Sequence, residues 1–289
     1  MSASHYYVPE KSHWPLVGSI GLFITVYSAV LILHGHSLGH YSIFLGIAVL
    51  LVMMYGWFST VIREGQQGHY SALTDRSYRL GMGWFIFSEV MFFAAFFGAL
   101  FYARQLSVPW LGGADNNAMT HLLLWPQFEA IWPVLSNPNP EAFTAPQHAM
   151  EATGLPLINT LILLSSGVTI TLAHWALKKQ QRGALITWLA ATVGLGVLFL
   201  VFQVQEYHHA YAELGLKLDS GIYGSTFFML TGFHGAHVTI GAIILAVMLI
   251  RACRGHFTPE QHFGFEAAAW YWHFVDVVWV GLFIFVYWL

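Results

Sequence analysis

Long runs of apolar residues alternate with short polar segments along most of the chain. Seven of these runs are long enough to cross the hydrocarbon of a bilayer, which takes about 20 consecutive apolar residues in a helix. Because no water satisfies backbone N–H and C=O groups at that depth, all seven are predicted to be α-helices. The pattern therefore predicts an all-α integral membrane protein that forms one membrane domain over residues 1–289. The predicted spans are Pro15–Leu33, Ile43–Ile62, Leu80–Ala103, Leu157–Leu177, Ala184–Tyr207, Ile222–Ile250 and Phe263–Leu289.

The segment 105–156, between the third and fourth spans, breaks this pattern. It holds seven of the ten prolines and is not apolar enough to span a membrane. We expect a long loop on the outer side. Within it, HLLLWPQFEAIW (121–132) either lies along the membrane surface, where Trp and Tyr are enriched, or only anchors a surface loop.

Composition supports the membrane assignment. Hydrophobic residues make up 57% of the chain and charged residues 9%, against about 25% charged in soluble domains; mean hydropathy is +0.59. The net charge of −3 gives no basic excess that would indicate nucleic acid. The one cysteine, Cys253, cannot form an intrachain disulfide and carries no metal-site signature. The polar N-terminus has no short apolar segment with a cleavage site, so no removed signal peptide is expected.

Lys and Arg are distributed unevenly among the segments that join the spans. With the N-terminus inside, only Arg104 and Lys217 fall in outer segments. Cytoplasmic loops carry the excess of Lys and Arg, so this asymmetry predicts a cytoplasmic N-terminus. An odd number of spans then places Leu289 on the outer side, unless a helix has been missed or split. The inner residues are Lys11, Arg63, Arg76, Arg79, Lys178, Lys179, Arg182, Arg251 and Arg254.

Glu89 is an acid within the apolar run GWFIFSEVMFFAAFFGAL (83–100) of the third span. At 1.5 Å per residue it lies about 15 Å along the helix from Arg79 and about 22 Å from Arg104. A charge at such a depth costs about 2.5–3.5 kcal/mol on insertion scales. We therefore expect a protonated carboxyl group that faces protein. It is either a functional site, the default for an intramembrane acid, or a neutral acid that hydrogen-bonds two helices.

Other polar residues share helix faces within the last two spans. Glu266, His273 and Asp276 fall within about 80° of one another at 100° per residue, which predicts one polar stripe facing the bundle. His234 and His237, three residues apart, share a face of the sixth span. These five residues are predicted to form an intramembrane polar network.

Sixteen histidines raise the question of a metal or haem. An i, i+3 pair on one helix cannot hold a haem from both sides, and the E-x-x-H spacing of helical di-metal sites is absent around His234. Glu206 and His209 have that spacing, but they lie at the outer end of the fifth span, where a wet loop is expected. The sequence favours hydrogen-bonded helix packing instead, with glycines allowing close approach. It predicts neither a metal site nor a catalytic residue in this chain.

Basic residues also cluster where the second and sixth spans reach the inner surface. Basic pockets between helices on the cytoplasmic side bind lipid headgroups, which makes these ends candidate phospholipid sites. Alternatively, they only orient the helices, with snorkelling side chains. The candidates are Trp57, Arg63 and Glu64 in the first cluster and Arg251, Arg254, His256 and Thr258 in the second.

Two long motifs near the C-terminus closely resemble the subunit III family of cytochrome c oxidases. They are SGIYGSTFFMLTGFHGAHVTIG (220–241) and HFTPEQHFGFEAAAWYWHFVDVVW (256–279). The resemblance extends over every predicted span. Further similar segments are WPL (14–16), YGWFSTVIREGQQGH (55–69), RLGMGWFIFSEVMFF (79–93) and GLPLINTLILLSSGVTITLAH (154–174).

This resemblance implies a two-helix bundle and a five-helix bundle separated by a V-shaped cleft that holds phospholipids. It implies no haem or copper in this chain, since those belong to partner subunits of the oxidase. The complex passes electrons from cytochrome c to oxygen and pumps protons across the bacterial inner membrane. The chain would pack directly on subunit I, alongside subunit II, stabilise the catalytic subunit and support proton uptake.

Residue by residue, the family's buried glutamate matches Glu89. The family's lipid-contacting positions match the two basic clusters above. This match favours specific phospholipid sites over residues that only orient the helices. Phe58 stands where the family often has Trp, and a slightly shorter segment after Glu64 leaves His69 without a secure match. The long outer loop differs from the mitochondrial form and indicates a bacterial variant.

Two other functions remain open from the sequence. Subunit III of a quinol oxidase would keep the fold, although that relative resembles a five-helix version without the first two spans. An independent proton-coupled transporter would use Glu89 and the polar stripe of the seventh span. Such a transporter predicts broken helices near the midplane, and the sequence has no paired Gly or Pro interruption of that kind.

Overall fold

Helices begin and end at the polar breaks of the sequence in the computed structural model, which describes residues 11–289. The described residues contain helices and loops and no β-strand. Seven helical segments are long and apolar enough to cross a membrane, which confirms the predicted all-α membrane class. The α-helices are α1 (Trp14–Leu33), α2 (Ser37–Gln66), α3 (Ala72–Tyr102), α4 (Val108–Leu111), α5 (Ala118–Leu124), α6 (Leu155–Lys178), α7 (Arg182–Ala212), α8 (Ile222–Cys253) and α9 (Phe263–Leu282).

Local sequence explains several of these boundaries. Proline occupies the first turn of α1 and of α6, where its missing N–H has no helical partner to lose. Gly35, Gly68 and Gly255 follow the last residues of α1, α2 and α8 with φ of 76°, 74° and 74°. That left-handed conformation ends a helix, and glycine adopts it without a Cβ penalty.

The chain divides into two compact units, residues up to Leu80 and residues from Gly81 onwards. In the first unit α1 packs along α2. A Cβ on Gly46 of α2 would lie 2.7 Å from the backbone nitrogen of Thr25 on α1, so glycine allows the helices to approach this closely. Ser28 on α1 donates a hydrogen bond of 2.7 Å to Ser42 on α2. Small residues and hydroxyl groups are the expected glue for helices that meet in lipid.

The second unit contains α6, α7, α8 and α9 in a ring, since α6 and α8 each contact both α7 and α9. Trp272 of α9 is fully buried and donates its indole N–H to the hydroxyl of Ser166 at 2.8 Å. Trp279, two turns further along, donates to Thr160 at 2.9 Å. The two indoles therefore join α9 to α6, and each indole N–H is paired, as a low-dielectric interior requires.

The predicted outer loop is partly helical. After α3 the chain continues through a π-helical turn, Ala103–Ser107, directly into α4. A 3-10 turn, Asp115–Asn117, leads into α5. Residues 125–154 follow without a regular helix before α6 begins. The chain ends in a second π-helical turn, Phe283–Trp288, directly after α9.

Candidate functional sites

Glu89 on α3 meets His237 on α8. Its Oε2 lies 2.8 Å from Nε2 of His237, while Nδ1 of the same ring lies 2.6 Å from the carbonyl oxygen of Phe233. A carbonyl oxygen can only accept, so Nδ1 carries a hydrogen. The remaining hydrogen bond then contains one proton shared between the carboxyl group and Nε2, and the pair as a whole is neutral.

Aromatic side chains surround this pair. The imidazole of His237 lies 4.9 Å from the ring of Phe93, 5.8 Å from that of Phe92 and 6.5 Å from that of Phe274, measured between ring centroids. Separated charges are costly in an apolar environment. These aromatic rings therefore favour the form in which the carboxyl group of Glu89 holds the proton and donates it in a hydrogen bond to a neutral imidazole.

His234 and His237 share a helix but meet different neighbours. His234 is fully buried, and its Nε2 donates a hydrogen bond of 3.2 Å to the carbonyl oxygen of Val275 on α9. Its Nδ1 is buried and has no partner among residues 11–289. His234 thus ties α8 to α9, whereas His237 ties α8 to α3.

His273 and Asp276 lie together at the face of α9 that packs on α6. Oδ2 of Asp276 is 3.5 Å from Nδ1 of His273, and Nε2 of His273 is 3.4 Å from the hydroxyl of Thr171. A Cβ built on Gly167 would lie 2.5 Å from Asp276 Oδ2, so glycine makes room for this carboxyl. Asp276 is buried, and its Oδ1 has no hydrogen-bond partner among residues 11–289, so His273 is the polar group that faces this carboxyl.

Glu266, the third member of the predicted stripe, lies near residues other than His273 and Asp276. Seven residues separate it from His273, which is about 10 Å along a helix. Its carboxylate converges instead with the imidazoles of His174 and His262 at the start of α9. The stripe thus provides two polar clusters at different depths.

The expectation that Glu206 lies in a wet loop is wrong. Glu206 is within α7 and is 1% exposed, because α7 extends to Ala212. The hydroxyl of Tyr287 donates to its Oε1 at 2.5 Å, while Oε2 has no partner among the described residues. His209, one turn on, lies outside this site and faces Glu213 instead, with Nδ1 3.1 Å from that carboxylate.

The second lipid cluster lies at the end of α8. Arg182 at the start of α7 contacts Cys253 there, and Lys178 and Lys179 directly precede α7; we call this region the basic end. The guanidinium of Arg251 stacks over Phe257, 4.6 Å from the ring centroid. Its Nε is buried without a hydrogen-bond partner among residues 11–289. No carboxylate of the described chain lies within ion-pair distance of it, whereas Arg79, for comparison, pairs with Asp75 at 2.7 Å.

His256 lies beside Arg251 and Arg254 in the loop between α8 and α9. Burial, and then the positive charges of these two arginines, lower the pKa of His256 below its ordinary value. Its Nδ1 is buried and unpartnered within the described part of the chain. A neutral imidazole near two cations adds hydrogen-bonding capacity without adding positive charge.

Arg182 is a residue of the basic end that the sequence did not single out. Its Nη2 donates to the carbonyl oxygen of Cys253 at 2.5 Å, where α8 ends. It also lines a pocket of about 330 Å³ together with Phe257 and Thr258. The sequence does not reveal this role of Arg182, because its partner is a backbone carbonyl that is distant along the chain.

The first lipid cluster belongs to the other unit and lies at the end of α2. Trp57 and Arg63 are exposed. Glu64 is bound instead to Tyr70, whose hydroxyl lies 3.0 Å from its Oε2. Burial, followed by the neighbouring Tyr78, raises the pKa of Tyr70, so it stays a proton donor. Arg63 therefore has no ion-pair partner among residues 11–289.

Comparison with known proteins places the chain among relatives that it matches almost end to end. A family model described as cytochrome c oxidase subunit III matches residues 4–119 and 132–289. Residues 120–131, inside the predicted outer loop, fall outside the match. Cytochrome c oxidase subunit 3 of Dugong dugon is 41% identical over 284 residues, covering 98% of this chain and 96% of that protein. The proteins of the same name from Cyprinus carpio and Formosania lacustris are 41% and 42% identical over 287 residues, covering 99% of this chain and 97% of each relative.

Proposed function

The chain belongs to the cytochrome c oxidase subunit III family, and from this premise we propose that it is a non-redox accessory subunit that binds phospholipid, stabilises the catalytic subunit and supports proton uptake. Family membership makes it a multi-pass membrane subunit of the oxidase complex in aerobic respiration. In this family haem and copper sit in other subunits. The contribution of this chain to the complex must therefore come from its own side chains and not from a redox centre.

The main support for the lipid proposal is the environment of Arg251. Its guanidinium is oriented by stacking on Phe257 and has no carboxylate partner within the described chain. A partly buried cation without a counter-ion is costly, and a planar guanidinium matches a phosphate group in bidentate geometry. Arg254 and neutral His256 lie alongside. A phospholipid headgroup supplies the missing negative charge at the depth where α8 ends.

The other lipid candidates support the same assignment in their own unit. Arg63 lacks an acid partner because Tyr70 binds Glu64, and Trp57, six residues earlier on α2, is 48% exposed. An amphipathic indole at headgroup level and a nearby cation are typical of a lipid interface. We assign Trp57, Arg63 and Glu64 to phospholipid contact as well, with Thr258 in the cluster of Arg251.

The lipid proposal is tested on the purified oxidase complex by counting bound phospholipid per complex and following activity over many turnovers. The double variant Arg251→Ala/Arg254→Ala is expected to lose bound lipid and to shorten the turnover lifetime. The variant Lys178→Ala/Lys179→Ala removes the same charge at the same end of the molecule and serves as the control. Equal lipid counts and equal lifetimes in the arginine variant and the wild type would contradict the proposal.

We further propose direct packing on subunit I, with subunit II and cytochrome c as partners in the complex. The neutral Glu89–His237 pair supports a role near proton uptake, because it keeps a proton inside the membrane without separated charge. Cross-linking of the native complex followed by mass spectrometry tests the partners. Cross-links confined to other copies of this chain would contradict the assignment.

The proposed location is a bacterial inner membrane with the N-terminus in the cytoplasm and Leu289 in the periplasm. The excess of Lys and Arg at one set of loops supports this orientation. Cys253 is exposed at the basic end and provides a native label. A membrane-impermeant maleimide should label it in inverted membrane vesicles only, with Cys253→Ser as the control. Labelling in right-side-out vesicles alone would reverse the orientation.

A further inference from the structure

Three potential metal ligands converge at the basic end, away from Glu89. They are His174 near the end of α6, His262 immediately before α9 and Glu266 in the first turn of α9. One ligand atom from each lies within 4.8 Å of the other two. The Nε2 atoms of the two imidazoles are 3.2 Å apart. Among the described residues this is the group that brings three nitrogen or oxygen ligands together.

The second ring nitrogen of His262 fixes which atom is available to a ligand. Its Nδ1 lies 3.2 Å from the carbonyl oxygen of Thr258 and must be the donor. In the neutral ring the lone pair therefore sits on Nε2, which is the atom that faces His174. A metal-bound histidine almost always donates its other N–H to such a carbonyl or carboxylate, because this holds the ring and its tautomer in place.

The turn that carries His262 is itself restrained. The N–H of Gln261 donates to the hydroxyl of Thr258 at 3.1 Å, and the N–H of Thr258 lies 3.4 Å from the carbonyl oxygen of Gln261. These bonds lock residues 258–262 into one short turn. The imidazole of His262 is thus presented to α6 by backbone geometry as well as by its own hydrogen bond.

The separation of the two imidazole nitrogens matches a tetrahedral ion. Zinc binds imidazole nitrogen at about 2.0–2.1 Å and carboxylate oxygen at about 2.0–2.2 Å, so two nitrogens on one tetrahedral ion are about 3.3–3.4 Å apart. The observed separation of 3.2 Å is close to this value. Two imidazoles and one carboxylate favour Zn²⁺ over Ca²⁺ or Mg²⁺, which prefer all-oxygen sites.

We propose that His174, His262 and Glu266 bind one Zn²⁺ ion that clamps the end of α6 to the start of α9. The protein supplies three ligands, and water takes the fourth position. The ion is structural and exchanges no electrons. Because His262 closes the loop that contains His256 and Thr258, the ion also fixes the loop beside Arg251. The zinc site does not depend on that loop binding lipid.

The test uses the intact purified complex, washed with chelator and then dialysed against zinc chloride. Metal analysis by mass spectrometry is expected to find one more Zn²⁺ per complex in the wild type than in His262→Gln or His174→Gln. Glu266→Gln keeps both imidazoles and is expected to bind the ion at least tenfold more weakly, in line with the loss of a ligand or its support. His209→Gln is the control, since His209 forms an ordinary surface pair with Glu213.

A second measurement uses the wild type alone and needs no variant to assemble. The zinc-edge X-ray absorption spectrum of the reloaded complex should contain a scattering component from two imidazoles. Equal zinc content in the wild type and both histidine variants would overturn the proposal. So would a spectrum with oxygen ligands only, or a loss of zinc confined to His209→Gln.

Discussion

Nε2 of His237 lies 2.8 Å from Oε2 of Glu89, and the other nitrogen of the same ring is committed to the carbonyl oxygen of Phe233. This relationship answers why an acid occupies an apolar span. The carboxyl group and the imidazole share one proton between them, and the pair carries no net charge. Each satisfies the other in an aromatic environment that would penalise either as an isolated ion.

Substitution of Glu89 separates hydrogen bonding from protonation. Glu89→Gln can still donate to Nε2 of His237, so the subunit should lose less than about 1 kcal/mol of stability. Glu89→Ala leaves that nitrogen without a donor and should cost about 1–3 kcal/mol. Thermal unfolding of this subunit within the complex measures both. Infrared spectroscopy should show that a carboxylic acid C=O band disappears in Glu89→Gln. Glu213→Gln, at the surface, is the control, and an unchanged band in Glu89→Gln would contradict a protonated Glu89.

Trp272 occupies a notch between α7 and α8 that depends on two glycines. A Cβ on Gly196 would lie 2.7 Å from the indole, and one on Gly241 would lie 2.9 Å from it. We expect Gly196→Ala to destabilise the subunit by about 1–3 kcal/mol, the range for overpacked cores. Gly194→Ala, two residues away on the same helix with nothing within 4 Å of its added Cβ, should have little effect. The two variants are compared by heating the purified complex and measuring the temperature at which this subunit is lost. Equal losses would show that the notch does not set the packing.

Tyr287 is the hydrogen-bonding partner of buried Glu206. Tyr287→Phe keeps the ring but leaves the Glu206 carboxyl group unpaired, which should cost about 1–3 kcal/mol. The matched control is Tyr211→Phe on α7, since Tyr211 is 46% exposed. Denaturant titration of the detergent-solubilised complex, monitored by release of this subunit, gives the difference. If both variants behave as the wild type does, water rather than Tyr287 satisfies Glu206.

Acidification should weaken the loop that holds His256. Burial and the charges of Arg251 and Arg254 lower the pKa of His256 in the folded state, whereas the unfolded chain binds this proton with the ordinary pKa of about 6.5. The unfolded state then binds more protons as the pH falls through that value, so stability is full above it and declines below it. Thermal unfolding near pH 7.5 and near pH 5.5 should show a smaller acid loss in His256→Gln than in the wild type. An identical loss in both proteins would assign the acid sensitivity to other groups.

The sequence predicted the membrane class well because the signal is local. Each span shows itself in a run of about 20 residues, and no distant contact is needed to detect it. Glu89 was also found in this way, since one acid in an apolar run is conspicuous. Its partner His237 was recognised as polar, but the pair itself was not, because 148 positions separate the two residues.

Helical periodicity predicts which residues share a helix face, but it does not predict which neighbours they meet along the helix axis. Glu266, His273 and Asp276 all lie on α9, but this helix carries them past different neighbours, so Glu266 meets His174 and His262. Glu206 was assigned to a wet end, yet α7 extends beyond it and buries it against Tyr287. The spacing of His262 and Glu266, four residues apart, was a signal that could have revealed the zinc ligands. Its third member, His174, lies 88 positions away from His262.

The sequence alone identifies a set of membrane-spanning helices, the polar residues within them and the family of the chain. These properties follow from hydrophobic runs and motifs that are contiguous in the chain. The partner of each polar side chain is visible in the fold alone: His237 for Glu89, Tyr287 for Glu206, and the ring of Phe257 rather than an acid for Arg251. Hydrophobicity is additive along a segment, whereas a hydrogen bond forms only when two helices are set at one depth and one rotation.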